Sequence, residues 1–306
     1  LSDKPVLAVD VGGTKIAAAV VTRQGRILDK RRLPTDLSGP QAVVEQIMAL
    51  AGHINGGHSI GGAGVSVPAV LEPETDRVLW APNLPGWQEV PLREMLHARL
   101  EVPVFVEYDG QAAVLGEWWV GAARGCQNVA CIVIGTGIGG GFIVEGRLWR
   151  GRNRLAGAVG WIPLPGADGL DHWENLASGP AIARRAKLLI RNGQASDLNA
   201  ETLSAKDVFD AAREGDALAG QMVRETAILI GQGVASVISM ANPEMVVLGG
   251  SIGQQGDLLL DTVRENVRRW AQPVSGRDVS IVSSALGEEA GLLGAAYAVY
   301  LRDTSL

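Results

Sequence analysis

Cysteine is nearly absent: Cys126 and Cys131 are the only two among 306 residues. That excludes a disulfide framework and a cysteine zinc cluster, and makes a reducing cytoplasm the simplest home. Clustered positive charge is also missing. Lys and Arg number 27 against 33 Asp and Glu, a formal net charge of -6. Beyond short pairs such as Arg31–Arg32 and Arg184–Arg185 there is no basic patch, and nucleic acid requires a basic face. No apolar run reaches the length of a membrane-spanning helix, and glycine interrupts the longest. No charged-then-apolar leader precedes the first apolar run at residue 6. The expectation is a cytoplasmic protein with neither a nucleic-acid nor a membrane partner. What remains is ordinary for a globular protein: 47% hydrophobic and 20% charged residues, in a chain long enough for one large domain or two medium ones.

VLAVD (6–10) reads as a strand, Gly12–Gly13 as a tight turn, and KIAAAVVT as a returning strand. Residues 40–51 carry apolar side chains at helical spacing, with Ser38 as a candidate cap and Pro40 in the first turn. GAGVSVP, VPVFVEYD (102–109) and MVVLGG (245–250) read as strands. PLREMLHARL and GQAAVLGEWW read as helices, as do stretches near 180–191, 205–240 and 288–301. From NVACIVIG (128–135) the opening pattern repeats: strand, the Gly turn GTGIGGG, and FIVEGRLW as a returning strand. This reads as an internal duplication of an α/β unit, with the junction near 117–125.

The glycine turns carry the first chemical signal. In DVGGTK (10–15) two glycines let backbone N–H groups approach an anion, Thr14 adds a hydroxyl and Lys15 a charge. Asp10 could hold Mg²⁺ through water. An ordinary hairpin turn explains the same residues equally well. Gly135, Gly137 and Gly140 satisfy G-x-G-x-x-G, but a strand-like segment follows where a dinucleotide fingerprint requires a helix. A second phosphate-gripping hairpin, with Thr136 as donor, fits better. VVLGGS (246–251) is a third Gly turn. Asp109, where a strand meets a helix, reads either as a helix cap or as a general base kept ionised by the helix N-terminus.

These landmarks, in this order, resemble the ROK family of repressors, open reading frames and sugar kinases. The resemblance covers DVGGTK, the segment 62–87, EYDGQAAVLGE (107–117), IGTGIGGGFIVEGRLWRG (134–151), LAG (155–157), LASGPAI (176–182), NPEMVVLGG (242–250) and LGEEAGLLGAA (286–296). It implies an α/β fold of two actin-like (ribonuclease-H-like) domains with a cleft between them. The expected division is 1–117 with the C-terminal helix 290–306, and 118–289. It also implies an ATP- and Mg²⁺-dependent kinase acting on a sugar or sugar-like polyol, and a homodimer. Carried over, Asp109 is the catalytic base. Asp10, Gly12, Gly13, Thr14 and Lys15, with Thr136 and Gly137, are the phosphate and Mg²⁺ elements. Gly249 and Gly250 lie by the adenosine, and Asn83 and Glu174 are sugar ligands. The repressor branch carries an added DNA-binding domain; with the first motif strand beginning at residue 6, none is expected here.

The stretch LAGAVGWIPLPGADGLDHWENLASG (155–179) departs from the family. The usual motif has a glutamate and a histidine after LAG, then three cysteines. Here Ala158 and Trp161 stand in the first two places, and Pro165, Ala167 and His172 in the cysteine places. No structural zinc of the usual type is expected, and the role passes to packing by Trp161 and Trp173. A substitute site from Asp168, Asp171, His172 and Glu174 is weighed against solvated loop acids, which are the commoner case. On the substrate side Tyr108 and Gln111 replace asparagines flanking Asp109. Each lost bond to a ligand hydroxyl is worth about 0.5–1.5 kcal/mol. A modified or unusual hexose with bulk near its reducing end is one expectation, with Trp161 as an aromatic wall. A Trp161 that merely fills space in an ordinary glucokinase, and a catalytically weak sugar sensor, are the others.

Overall fold

VLAVDV forms β1 (Val6–Val11), with every position buried except the half-buried Asp10. The structure, a computed structural model, describes residues 4–54, 58–167 and 169–303. β1 turns into the antiparallel β2 (Lys15–Val21), with Val11 opposite Ile16. β3 (Ile27–Pro34), not expected from the sequence, extends this hairpin as the edge strand. Its charges hid it: ILDKRRLP exposes Lys30, Arg31 and Arg32, as edge strands do to resist further pairing. α1 (Pro40–Ile54) buries Val43, Val44, Ile47, Leu50 and Ala51, at the expected spacing. Ser38 does not cap it. Its backbone N–H donates to Asp36 Oδ1 at 2.9 Å, its hydroxyl bonds the same oxygen, and Gly39 directly precedes the helix.

β4 (Ala63–Val67) follows, then a small sheet of β5 (Val70–Leu71), β6 (Val78–Trp80) and β7 (Gln88–Val90). α2 (Leu92–Leu100), β8 (Val104–Tyr108) and α3 (Asp109–Val120) complete the first pattern. The main sheet has the order β3-β2-β1-β4-β8, with β1, β4 and β8 parallel.

The second pattern is β9 (Val129–Ile134), β10 (Ile138–Val144) and β11 (Arg147–Trp149), then a 3₁₀ turn at Val159–Trp161 and the hairpin β12 (Pro163–Gly166)–β13 (Gly169–His172). FIVEGRLW is therefore not one strand. It breaks at Glu145–Gly146, both at positive φ, while the preceding Gly turn is shorter than expected because β10 begins at Ile138. α4 (Trp173–Ala177) and α5 (Gly179–Arg191) lead to α6 (Ala205–Glu214) and α7 (Ala217–Ala241). The expected single helix over 205–240 is split. Gly215 at φ 94° ends α6, and Asp216 caps α7 by accepting from Ala219 N at 2.8 Å. Then come β14 (Met245–Gly249), α8 (Gly250–Gly253), α9 (Gly256–Trp270), α10 (Pro273–Asp278), β15 (Ser280–Ser283) and α11 (Ala290–Asp303). The second sheet has the order β11-β10-β9-β14-β15, with β9, β14 and β15 parallel. Position by position this is the order of the first sheet, so the duplication read from the two hairpins extends to the whole topology.

The chain divides into two units, 1–125 with 141–157 and 288–306, and 126–140 with 158–287. The segments 118–125 and 141–157 thus lie with the first unit, unlike the division expected from the sequence. In the first unit Gly141 explains part of this: a Cβ there would sit 2.6 Å from the Gly110 carbonyl oxygen, so the chain at Gly141 lies directly over the start of α3. α11 packs on α3 just as closely. A Cβ on Gly116 would lie 3.1 Å from Gly294 N, and one on Gly294 would strike the Ala112 carbonyl. In the second unit Trp173 and Phe209 are fully buried, and the Trp173 ring lies against Gly233 of α7.

Candidate active site

In the first unit the sequence-marked residues gather at the carboxyl ends of the parallel strands, where open α/β sheets bind ligands. Asp10 lies one residue before the end of β1, with Ser66 of β4 as its register partner. Burial pushes the Asp10 carboxyl up, while the Ser66 hydroxyl and the Lys15 charge act in the opposite direction. The Ser66 Oγ is itself buried and makes no hydrogen bond of good geometry. The start of α11 presses on Asp10 so closely that a Cβ on Gly291 would lie 2.9 Å from its Oδ1. Sequence reasoning missed Gly291, although it lies in the quoted LGEEAG motif. The half-buried Asp10 carboxylate beside the buried Ser66 hydroxyl is a donor set that suits a hard cation, and Mg²⁺ needs only one or two carboxylates besides phosphate.

The turn after Asp10 is closed by Gly12 N–H donating to the Lys15 carbonyl at 2.9 Å. Thr35, unnoticed in the sequence because it follows the hidden β3, donates its hydroxyl to the Gly12 carbonyl at 2.7 Å. Thr14 is exposed. At Gly13 the approach is close: a Cβ there would stand 3.2 Å from the Asn83 carbonyl oxygen. Asn83 and the first Gly turn are thus brought together. Lys15 does not stand alone in the turn. Its Nζ pairs with Glu288 at 2.6 Å, and Lys15 holds the Glu288 carboxyl below the usual carboxylate range.

Asp109 is half-buried at the β8–α3 junction. Tyr108 occupies the N-cap position with no side-chain cap bond, and Asp109 is the first helical residue. Its Oδ1 accepts the Gly110 N–H at 2.7 Å. The capping alternative therefore gives way to a carboxylate in the first turn, where the helix dipole favours the charged form. Gln111 is not a substrate-facing amide. It is fully buried, and its Nε2 donates to the carbonyls of Ala156 at 3.0 Å, Arg154 at 3.2 Å and Arg150 at 3.4 Å.

The second unit repeats the design at its own strand ends. The turn after β9 is held by Gly135 N–H to the Gly137 carbonyl at 2.9 Å, with Thr136 exposed at its tip. Glu174 touches this turn: its Oε2 accepts the Ile138 N–H at 2.8 Å, and a Cβ on Gly137 would lie 2.5 Å from that oxygen. Gly250, after β14, has φ 77°, and a Cβ there would come within 2.8 Å of Ile134 N, so only glycine fits. Gly249 is the residue before it, at the end of β14. Ala158 precedes the 3₁₀ turn that carries Trp161.

Trp161 does not fill a core. It is 61% exposed, with its ring edge-on to His172 at 4.8 Å between centroids. The packing role falls to Trp173 alone, which is 0% exposed. Asp171 accepts from Asn175 at 2.8 Å and from the His172 N–H at 2.7 Å, and these bonds hold its carboxyl below the usual range. Among the described residues no three His, Cys, Asp or Glu are grouped to hold a metal ion; Asp168 lies outside them. Among the described residues no helix is long and apolar enough to cross a membrane.

Two sheets of one strand order are the mark of the two-domain actin-like sugar-kinase fold. The sequence model of the ROK family matches residues 6–301. A glucokinase of Streptomyces coelicolor is 36% identical over 308 residues, covering 95% of this chain and 96% of its own. A crystal structure of a ROK family glucokinase from Streptomyces griseus, in complex with glucose and AMPPNP, has a TM-score of 0.85 at 34% identity, covering 96% of this chain and 98% of that one. The ROK hexokinase of Thermus thermophilus has a TM-score of 0.80 at 31% identity, covering 99% of this chain and 100% of that one. The chain belongs to the ROK family, and it is a carbohydrate kinase.

Proposed function

We propose that the chain transfers the γ-phosphoryl group of ATP to a hydroxyl of a sugar or sugar-like polyol, with Asp109 as general base. The observation that carries this reading is the Asp109 carboxylate: half-buried, at a strand's carboxyl end, and not used as a cap. As the hydroxyl oxygen attacks the γ-phosphorus its proton passes to Asp109, and the bond to ADP breaks. Such help is worth about 10²–10⁴ in rate, with positioning supplying much of the rest. ATP as donor is supported by the AMPPNP complex of the Streptomyces griseus enzyme. Asp10 and Ser66 would hold Mg²⁺, which supplies charge neutralisation on the phosphates. Gly12, Gly13, Thr14, Thr136 and Gly137 offer backbone and hydroxyl donors to phosphate, Lys15 adds charge, and Gly249 and Gly250 border the adenosine. Asn83 and Glu174 are the sugar ligands, with Tyr108, Ala158 and Trp161 shaping that side. A homodimer is part of the same reading.

The acceptor is a hexose with added bulk or apolar character near its reducing end. The exposed indole of Trp161, beside the small Ala158, supports this over a space-filling role. ADP release should be assayed across hexoses, aminosugars and polyols. The reading expects a substituted hexose to exceed glucose in kcat/KM. Glucose as the best substrate would make the chain an ordinary glucokinase. Tight sugar binding with no turnover on any member would make it a sensor.

A further inference from the structure

Within the first unit, two charged side chains of opposite sign are buried around the strand that leads to Asp109. Glu107, two residues before it, is 1% exposed, and Arg154 is 6% exposed. The Arg154 guanidinium bridges two carboxylates. Its Nη2 lies 3.2 Å from Glu107 Oε1 and donates to the Val106 carbonyl at 2.8 Å, and its Nη1 bonds Asp76. The other Glu107 oxygen, Oε2, takes Arg150 Nη2 at 2.6 Å. Arg93 and Arg302 stand by Asp76 at 3.4 and 3.8 Å. Two residues after Asp109, Gln111 is bonded to the carbonyls of Arg150, Arg154 and Ala156. Asp109 is therefore bracketed. The residue two before it and the residue two after it are both tied to the 150–156 segment, and Asp76 ties in the loop that continues to Asn83. Arg154 and Asp76 each adopt a left-handed backbone conformation, at φ 55° and 58°, which non-glycine residues seldom take without reason.

We propose that Arg154 is a positioning residue of the phosphoryl transfer: by holding Glu107 and Asp76 together it sets the end of β8, and with it the Asp109 carboxylate. The proposal rests on the reading of Asp109 as general base. Arg suits the place because its planar fork takes two partners at fixed angles, which a lysine ammonium does not. An error of about 1 Å at a reacting group can reduce a rate about 100-fold. A fold-only role would predict lost stability and an intact rate in whatever fraction stays folded.

The test uses the full chain and the sugar that the substrate assay identifies. Arg154→Met, Arg154→Lys and the milder Arg150→Gln are compared with wild type for melting temperature, AMPPNP affinity, kcat and KM. Arg154→Met is expected to reduce kcat about 100-fold, with Arg154→Lys recovering part of it. Arg150→Gln, at a half-exposed site, is expected to reduce kcat several-fold with AMPPNP affinity unchanged. If Arg154→Met does not fold, Arg150→Gln and the isosteric Glu107→Gln decide the matter. Folded variants with wild-type kcat and KM overturn the proposal. A wild-type chain inactive on every sugar instead overturns the reading it rests on, so the two failures are distinct.

Discussion

A carboxylate at the first position of a helix has two rival uses, and Asp109 shows how backbone geometry separates them. Tyr108 holds the N-cap with no side-chain cap bond, so Asp109 is the first helical residue, where the helix dipole favours a carboxylate. Asp109→Asn preserves shape and the Gly110 contact but cannot accept the hydroxyl proton. Its kcat is expected to fall by at least about 100-fold, with AMPPNP affinity in calorimetry unchanged; near-normal turnover would remove Asp109 from the role. Trp161 separates two uses in another way. Because it is 61% exposed, Trp161→Ala should leave stability within about 0.5 kcal/mol of wild type. If the ring stands beside the acceptor, KM for the substituted hexose should rise several-fold while KM for ATP holds. An equal KM in both proteins would leave the indole without a substrate role.

Among the elements, those legible from sequence had one clear period or one clear punctuation mark. The helical spacing over 40–51 became α1, and the apolar runs at 6–10 and 245–250 became the buried strands β1 and β14. β3 was hidden because an edge strand with exposed Lys and Arg lacks the apolar alternation on which strand reading depends. The break between α6 and α7 was written in Gly215 and Asp216, but the apolar period on both sides masked it. The candidate site was legible where residue type suggests chemistry, at Asp10, Asp109 and the glycines. It was not legible where function depends on a distant neighbour: Gly291 on Asp10, Thr35 on Gly12, Glu288 on Lys15 and Arg154 on Glu107 are all remote in sequence. Packing of the stretch 155–179 was half legible, since composition offered two tryptophans and only burial could choose between them. Trp173, at the start of α4 and against α7, is the one that holds these elements together. Trp173→Ala is expected to destabilise the chain by about 3–5 kcal/mol in urea unfolding, because a large cavity opens beside Gly233. A loss under about 1 kcal/mol would mean that the stretch is held by other contacts.

For the molecule as a whole, the carboxylates pull the dependence of stability on pH in opposite directions. Glu45, held by the Arg99 guanidinium at about 2, favours the folded state above the ordinary carboxylate range and loses that contribution as pH falls. The pair is exposed, so its share is small. Asp10 has the reverse sign. Burial raises its carboxyl, so folding takes up a proton there. Its contribution is favourable below the unfolded carboxylate pKa, and it is lost as pH rises through the raised folded value. Above that value the charged Asp10 weakens the fold, as active-site groups commonly do. Asp10→Asn removes the charge while keeping the shape. Its melting temperature is expected to exceed that of wild type at pH 7 to 8 by an amount that shrinks to nothing near about pH 4. A cation and nucleotide reverse the ranking, because a ligand present at about 100 times its Kd stabilises the folded state by about 2.7 kcal/mol. With Mg²⁺ and AMPPNP added, wild type should gain that increment and Asp10→Asn should lose most of it. Scanning calorimetry of both proteins, with and without ligand, reads the whole cycle. An Asp10→Asn chain that melts no higher than wild type at pH 7 without ligand would show that the Asp10 carboxylate does not weaken the fold. One that keeps the full ligand increment would take Asp10 out of the Mg²⁺ and phosphate machinery.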